Sequence, residues 1–326
     1  MALAEYLGVP FVVLCNNGSI ALNLAYQALD LSGEVITTPY SFVATSSTLV
    51  TENIKPVFVD IDPVTLNIDP DKIEAAITPQ TTAILAVHVY GRPCDTKKIA
   101  EVAEKHNLKV VYDAAHAFGV KKNGISILNA GDLSTLSFHA TKVFSTIEGG
   151  AIICHSQEMK TTLDNLKNFG IINEVEVVDI GTNAKLNEVQ AAFGLLSLKT
   201  IDQNLQKRKG VSDLYQTLLV DVPGITIQPT LFDTEWNYAY YPILIDKTKY
   251  GMSRDDLYEK LKKVHVFSRR YFYPLISDFK PYQKYRKAKT SVAARAANEV
   301  LCLPIYPDLS HENVELIAGY IKEWAK

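Results

Sequence analysis

Short apolar runs alternate with amphipathic stretches through the first half of the chain. Seven runs predict strands: Phe11–Cys15, Glu34–Thr38, Pro56–Asp60, Ala83–Tyr90, Lys109–Asp113, Ser134–Phe138 and Ala151–Cys154. Most are rich in Val and Ile and nearly continuous in apolarity, as strands buried on both faces should be. Between them, Ser19–Leu31, Pro70–Ile77 and Asp95–His106 carry helical patterns. Strand alternating with helix predicts an α/β fold, a mainly parallel sheet with helices on both faces. Ligands of such sheets bind beyond the carboxyl ends of the strands, so strand-end residues matter most.

From Ala184 to about Val220 the apolar positions take three-and-four spacing, with Leu186, Val189, Ala192, Phe193 and Leu196 along one stripe. This stretch predicts a long linking helix. Beyond Pro223 come a strand pair, Ile225–Gln228 and Tyr240–Ile245, then helices near Ser253–Lys263 and Asn313–Trp324. The expected organisation is a large domain over 1–200, then a linking helix and a smaller C-terminal α/β domain over 201–326. A chain of 326 residues suits that division.

Composition narrows the partners. Hydrophobic residues at 47% and charged residues at 21% describe an ordinary globular protein. A net charge of -3 provides no basic field, which argues against nucleic acid or a membrane surface as partner. A phosphate-bearing ligand would need a local site. Cys15, Cys94, Cys154 and Cys302 lie far apart in apolar surroundings, so neither a metal centre nor disulfides are expected, and a reducing cytoplasm is. The N-terminus lacks the pattern of a signal peptide, and no apolar run reaches the ~18 residues of a spanning helix.

Three strand ends carry chemistry. Lys142 follows Ser137-Phe138-His139-Ala140-Thr141 and precedes Glu148-Gly149-Gly150. A buried ammonium is costly unless paired or neutralised, and an aldehyde cofactor would neutralise it by forming a Schiff base. A surface lysine in a loop has the same spacing. Asp113 closes an apolar strand, where it could bind ribose, a metal or a protonated ring nitrogen, or cap the next helix. Cys15-Asn16-Asn17-Gly18-Ser19 joins a strand to a helix, a place where backbone N–H groups bind phosphate. Neither G-x-x-x-x-G-K-[ST] nor G-x-G-x-x-G is present, which excludes the usual nucleotide fingerprints.

Together these sites outline a phosphate clamp, a carboxylate for a ring nitrogen and an amine for an aldehyde. At this point the chain resembles the DegT-type nucleotide-sugar aminotransferases of the fold-type I pyridoxal-phosphate class. The likeness covers NNGSIAL, TPYSFVAT, VHVYGRPCD, YDAAHAFG, SFHATKVFSTIEGGA, GTNAKLNEVQAAFG and CLPIYPDLS, in order over essentially the whole chain. It implies pyridoxal 5'-phosphate as cofactor, bound covalently by Lys142, which also moves the proton between cofactor and substrate carbon. It implies Asp113 at the pyridinium nitrogen, His116 near the ring and its phenolic oxygen, and Phe42 stacked on the ring face. Gly18, Ser19 and Ser137 match the phosphate ligands. Asn183 matches an asparagine that reaches the neighbouring subunit's cofactor, which implies a homodimer with shared active sites.

The substrates implied are glutamate as amino donor and a nucleotide-linked ketosugar as acceptor. Arg269, Arg270, Tyr271 and Tyr273 lie in FSRRYFYPL, where guanidinium groups suit a diphosphate and aromatics a sugar or base; a solvated charge pair beside core aromatics is the alternative. The arginine pair resembles enzymes acting on thymidine-diphosphate amino sugars, so a 4-keto-6-deoxy sugar is expected, with the 3-keto isomer as alternative. A sugar dehydratase of the same family would carry histidine in place of Lys142. Family chains carry a further segment ahead of ALAEYLGV that helps shape substrate site and dimer. Because Met1 falls inside that first helix, a catalytically silent member is the third expectation.

Overall fold

A computed structural model describes residues 1–325. Seven strands form one sheet: β1 (Phe11–Cys15), β2 (Glu34–Thr37), β3 (Lys55–Phe58), β4 (Thr81–Val87), β5 (Lys109–Asp113), β6 (Leu133–Ser137) and β7 (Gly150–Cys154), in spatial order β1-β7-β6-β5-β4-β2-β3. Six strands run parallel. Only β7 is reversed, antiparallel to both β1 and β6. Register sets Cys15, Gly150 and Ser137 abreast, and likewise Val87, Asp113 and Thr135. The residues expected to carry chemistry therefore share one rim of the sheet.

Successive residues of a strand enter opposite cores, which is why these runs show no polar face. Val111 and Ile152 join a cluster with Leu22 and Ala25 of helix α1 (Gly18–Ala28). Tyr112 and Ile153, their neighbours, face clusters on the other side. Each fully buried Leu, Ile or Val contributes about 1.5–3 kcal/mol relative to exposure.

A second, three-stranded antiparallel sheet is built from β8 (Ile225–Ile227), β9 (Tyr241–Ile245) and β10 (Val300–Leu303). It packs with Val211, Tyr215, Leu257 and Ile317 into its own core.

Several elements depart from the sequence reading. Pro70–Ile77 forms two 3₁₀ turns, Pro70–Lys72 and Glu74–Ala76, because only Ile73 in the segment is buried and no stripe exists to anchor an α-helix. The long linking helix is two helices, Glu188–Leu198 and Ile201–Leu219. The stripe of the first faces outward, with Val189 76% and Leu196 60% exposed. Strand β4 stops at Val87, since the chain turns at Val89–Gly91 with Tyr90 in the left-handed region.

Helix α2 (Ala44–Thr51, ATSSTLVT) had no sequence signal, as its β-branched and hydroxyl-bearing residues are poor helix formers. It survives through tertiary burial of Thr45, Ser46 and Leu49. Strand β10 follows directly on helix Ser291–Glu299 with no turn between, so VLCL reads as more helix. Among the described residues no helix is long and apolar enough to cross a membrane, and no acidic, His or Cys cluster suits a metal. All four cysteines are free and buried.

Candidate active site

The rim holds a cavity of about 580 Å³, lined among others by Gly18, Ser19, Phe42, Asp113, His116, Ser137, Lys142 and Tyr271. Its first wall is the N-terminus of α1. Asn17 caps that helix, accepting from the Ile20 amide at 2.9 Å, and the Asn17 carbonyl takes the Ala21 amide. The Gly18 and Ser19 amides have no protein acceptor among the described residues, while both residues line the cavity. A side chain at position 18 would put a Cβ 2.8 Å from Ser137 Cβ, so only glycine lets helix start and strand end meet. Two free amides and a hydroxyl at a positive helix end form an anion cradle.

Asp113, at the end of β5, is 6% exposed. Its Oδ2 accepts from Thr45 Oγ1 at 2.8 Å and its Oδ1 from the Ala115 amide at 3.1 Å. Burial raises its proton affinity, opposed by these two hydrogen bonds and by the charge of Lys142. A carboxylate so placed can face a protonated heterocycle.

Lys142 sits on a loop clasped at its base: the Phe138 amide donates to the Gly149 carbonyl at 2.8 Å and the Thr146 amide to the Phe138 carbonyl at 2.9 Å. Among the described residues no carboxylate lies within ion-pair distance of its amine. Desolvation pulls the Lys142 ammonium down to about 8, with the charge of Asp113 working against it. About a tenth of the amine is thus neutral and nucleophilic at pH 7, far more than for an ordinary lysine.

His116 follows β5 by three residues. Its ring lies parallel to Phe272 at 5.7 Å and edge-on to Tyr240 at 4.9 Å. The Tyr90 amide donates to Nδ1 at 3.3 Å, and burial drives the imidazolium well below its ordinary range. The ring is therefore neutral with its proton on Nε2, a donor. Gly91 makes this possible: a Cβ there would stand 2.5 Å from the His116 carbonyl. Phe42 is 55% exposed, an apolar ring left uncovered at the cavity wall.

Four expected site residues lie elsewhere. Asn183 bridges to Asn168, is exposed and does not line its own chain's cavity. Arg269, Arg270 and Tyr273 do not line the cavity. Arg270 is paired with Asp255 at 2.9 Å and stacked over Tyr258 and Tyr273. Conversely, Ser41, His139, Glu148 and Tyr240 line the cavity unannounced. His139 and Glu148 had a signal in flanking Lys142, and Ser41 in preceding Phe42, whereas Tyr240 had none.

These features fit pyridoxal phosphate: an anion cradle at the α1 start, a buried carboxylate, a neutral imidazole donor, a partly neutralised lysine and an exposed aromatic ring, around a space of suitable size. When bound, that cofactor supplies an electron sink and a carrier for nitrogen.

Comparison with known proteins agrees. A dTDP-4-amino-4,6-dideoxy-D-glucose transaminase from Shigella dysenteriae is 54% identical over 322 residues, covering 98% of this chain and 88% of that protein. The crystal structure of DesI in the presence of its TDP-sugar product superposes with a TM-score of 0.95 at 34% identity, covering 99% of this chain and 82% of that one. A putative sugar aminotransferase from Streptococcus pneumoniae in its PLP form gives a TM-score of 0.92 at 25% identity, covering 99% and 89%. The model of the DegT/DnrJ/EryC1/StrS aminotransferase family matches residues 1–322, and the chain belongs to that family of pyridoxal-phosphate aminotransferases.

Proposed function

We propose that the protein moves an amino group from glutamate to a dTDP-linked 4-keto-6-deoxyhexose, giving the 4-amino-4,6-dideoxy sugar. The observation that carries this reading is the 54% identity to the Shigella dysenteriae transaminase of that name, spread over nearly the whole chain that forms the cavity. Gly18, Ser19 and Ser137 bind the cofactor phosphate. Asp113 holds the ring nitrogen in its protonated form, and His116 Nε2 donates to the ring oxygen. Phe42 covers one ring face. Lys142 carries the cofactor, and its Nζ takes and returns the proton at the reacting carbon. Arg269, Tyr271 and Tyr273 serve the nucleotide sugar, and Arg270, paired with Asp255, holds the segment that carries them.

The active site is completed in a homodimer, with Asn183 reaching the partner's cofactor phosphate. Supporting this, Val175, Val177, Val178 and Ile180 beside Asn183, and Val189, Leu195 and Leu196 on the next helix, are all more than half exposed. So much apolar surface on one segment marks an interaction face. The division into a large part over 1–200 and a small part over 201–326 belongs to the same reading. Incubation with glutamate and dTDP-4-keto-6-deoxyglucose, followed by mass analysis, should show the 4-amino product and 2-oxoglutarate. Borohydride reduction should label Lys142. Amination of the 3-keto isomer alone would reject the sugar assignment, and label on another lysine the site assignment.

A further inference from the structure

Asp113 does not stand alone in the rim. Thr45 Oγ1 is 2.8 Å from Asp113 Oδ2, and Ser41 Oγ is 2.8 Å from Thr45 Oγ1. Thr45 is fully buried and Ser41 is 4% exposed. A hydroxyl has one proton to give. An ionised Asp113 has none, so Thr45 must donate to it and can only accept from Ser41. The direction of the chain is thereby fixed, Ser41 to Thr45 to Asp113. Ser41 lines the cavity while Thr45 lies behind it, on α2.

The geometry points to Thr45 as a positioning residue, held by Ser41, that keeps the Asp113 carboxylate ionised and aimed so that a shared proton resides on the cofactor ring nitrogen. The inference rests on the reading that Asp113 faces that nitrogen. Each carboxylate oxygen has one donor behind it, Thr45 on Oδ2 and the Ala115 amide on Oδ1, which sets the plane of the group and leaves its other lone pairs toward the cavity. Besides the Thr135 hydroxyl on the neighbouring strand, which donates to the Tyr112 carbonyl at 3.5 Å, the polar groups that feel Asp113 are the Lys142 amine and, deeper, the Tyr26 hydroxyl, which is itself engaged with Thr48 at 3.2 Å. Neither takes over from Thr45: the first belongs to the cavity and the second is already bonded. Phe42 lies between Ser41 and Thr45 in sequence, and the Thr45 amide donates to the Phe42 carbonyl at 3.1 Å. One short segment thus governs both the ring face and the ring nitrogen.

The test uses the full chain loaded with pyridoxal phosphate labelled with nitrogen-15 in the ring. Nitrogen NMR reads whether the ring nitrogen carries a proton, and borohydride mapping reads attachment at Lys142. Thr45→Val keeps the volume and deletes the donor. It should shift the shared-proton equilibrium about ten- to a hundred-fold toward Asp113, as expected for one hydrogen bond to a charged group. Thr45→Ser should restore the wild-type signal, and Ser41→Ala should shift it the same way by less. A wild-type signal in Thr45→Val overturns the proposal. Should that variant fail to fold, a wild-type signal in Ser41→Ala overturns it. If the wild-type protein lacks label on Lys142 or has an unprotonated ring nitrogen, the reading of the site fails first, and Thr45 with it.

Discussion

The strand-end rim and the Arg269–Tyr273 stretch were read from the same kind of evidence, polar residues embedded in an apolar context, and they part ways in the structure. Asp113, Ser137 and the Lys142 loop are delivered to one cavity by the register of adjacent parallel strands. In the arginine stretch only Tyr271 reaches the cavity; Arg269 is tied by its backbone to Cys302 with its side chain exposed, and Arg270 finds a partner locally. Arg270 is neutralised by Asp255, which also bonds Arg254 at 2.8 Å. A charge at the end of a buried strand has nowhere else to go, whereas a charge on an irregular segment can satisfy itself with whatever lies near.

The comparison breaks most visibly at Asp113. Asp113→Asn keeps the shape but not the charge, and kcat should fall about 10²–10³-fold, the cost of one preorganised electrostatic group. Near-normal turnover in a folded variant would put the rim on the same footing as the arginines. The second test separates the two arginines. Arg269 is exposed and has no ion pair among the described residues, so Arg269→Ala should raise the sugar KM about ten- to a hundred-fold in single-turnover kinetics and leave the glutamate half-reaction alone. Arg270→Ala breaks a solvent-accessible pair and should cost at most about 1 kcal/mol of stability, read by denaturant titration. Equal losses in both half-reactions for Arg269→Ala would make that side chain structural too.

A pH series sharpens the rim itself. The Lys142 amine titrates near 8, so attachment of added pyridoxal phosphate should quicken about tenfold between pH 7 and pH 9. Because the folded value lies below the usual lysine range, the unfolded chain holds more protons between about 8 and 10.5. This group therefore adds stability as pH rises through that window and lowers it below. In Asp113→Asn the charge that raises the lysine value is gone, so the attachment profile should move to lower pH; an unmoved profile would deny that the two groups interact. The smallest expected effect is at Ile147, an exposed β-branched residue with φ of 72° beside the cavity residue Glu148. Ile147→Gly should stabilise the fold by about 1 kcal/mol, seen as a Tm rise of a few degrees.

What could be read from the chain follows the same division. The seven buried strands were legible because continuous Val and Ile runs have few other destinations, and so were Asp113 and Lys142 at their ends. Helix α2 was not, since ATSSTLVT has the local preferences of a strand or turn and becomes helical only through burial of Thr45, Ser46 and Leu49. The stripe of Glu188–Leu198 predicted a helix but not that it would face outward, because periodicity records an apolar face without saying what covers it. Asp255 gave no hint of its role toward Arg270, fifteen residues away, as one of the acidic residues in the first turn of an amphipathic helix looks solvated.

The reversal of β7 has an evolutionary consequence. Because β6 leaves the sheet and β7 re-enters beside it, the loop bearing Lys142 starts and finishes at neighbouring points of one rigid platform, like an arch with both feet on the same stone. Its reach is determined by the spacing of those feet, by Phe144 stacked on Phe118 at 4.3 Å and by Ser197, which donates to the Ser145 carbonyl at 3.1 Å. Segments that shape the acceptor site can then lengthen, shorten or change composition while the amine stays put. A lineage built on this arch can acquire new sugar substrates without relearning where to hold its nitrogen carrier.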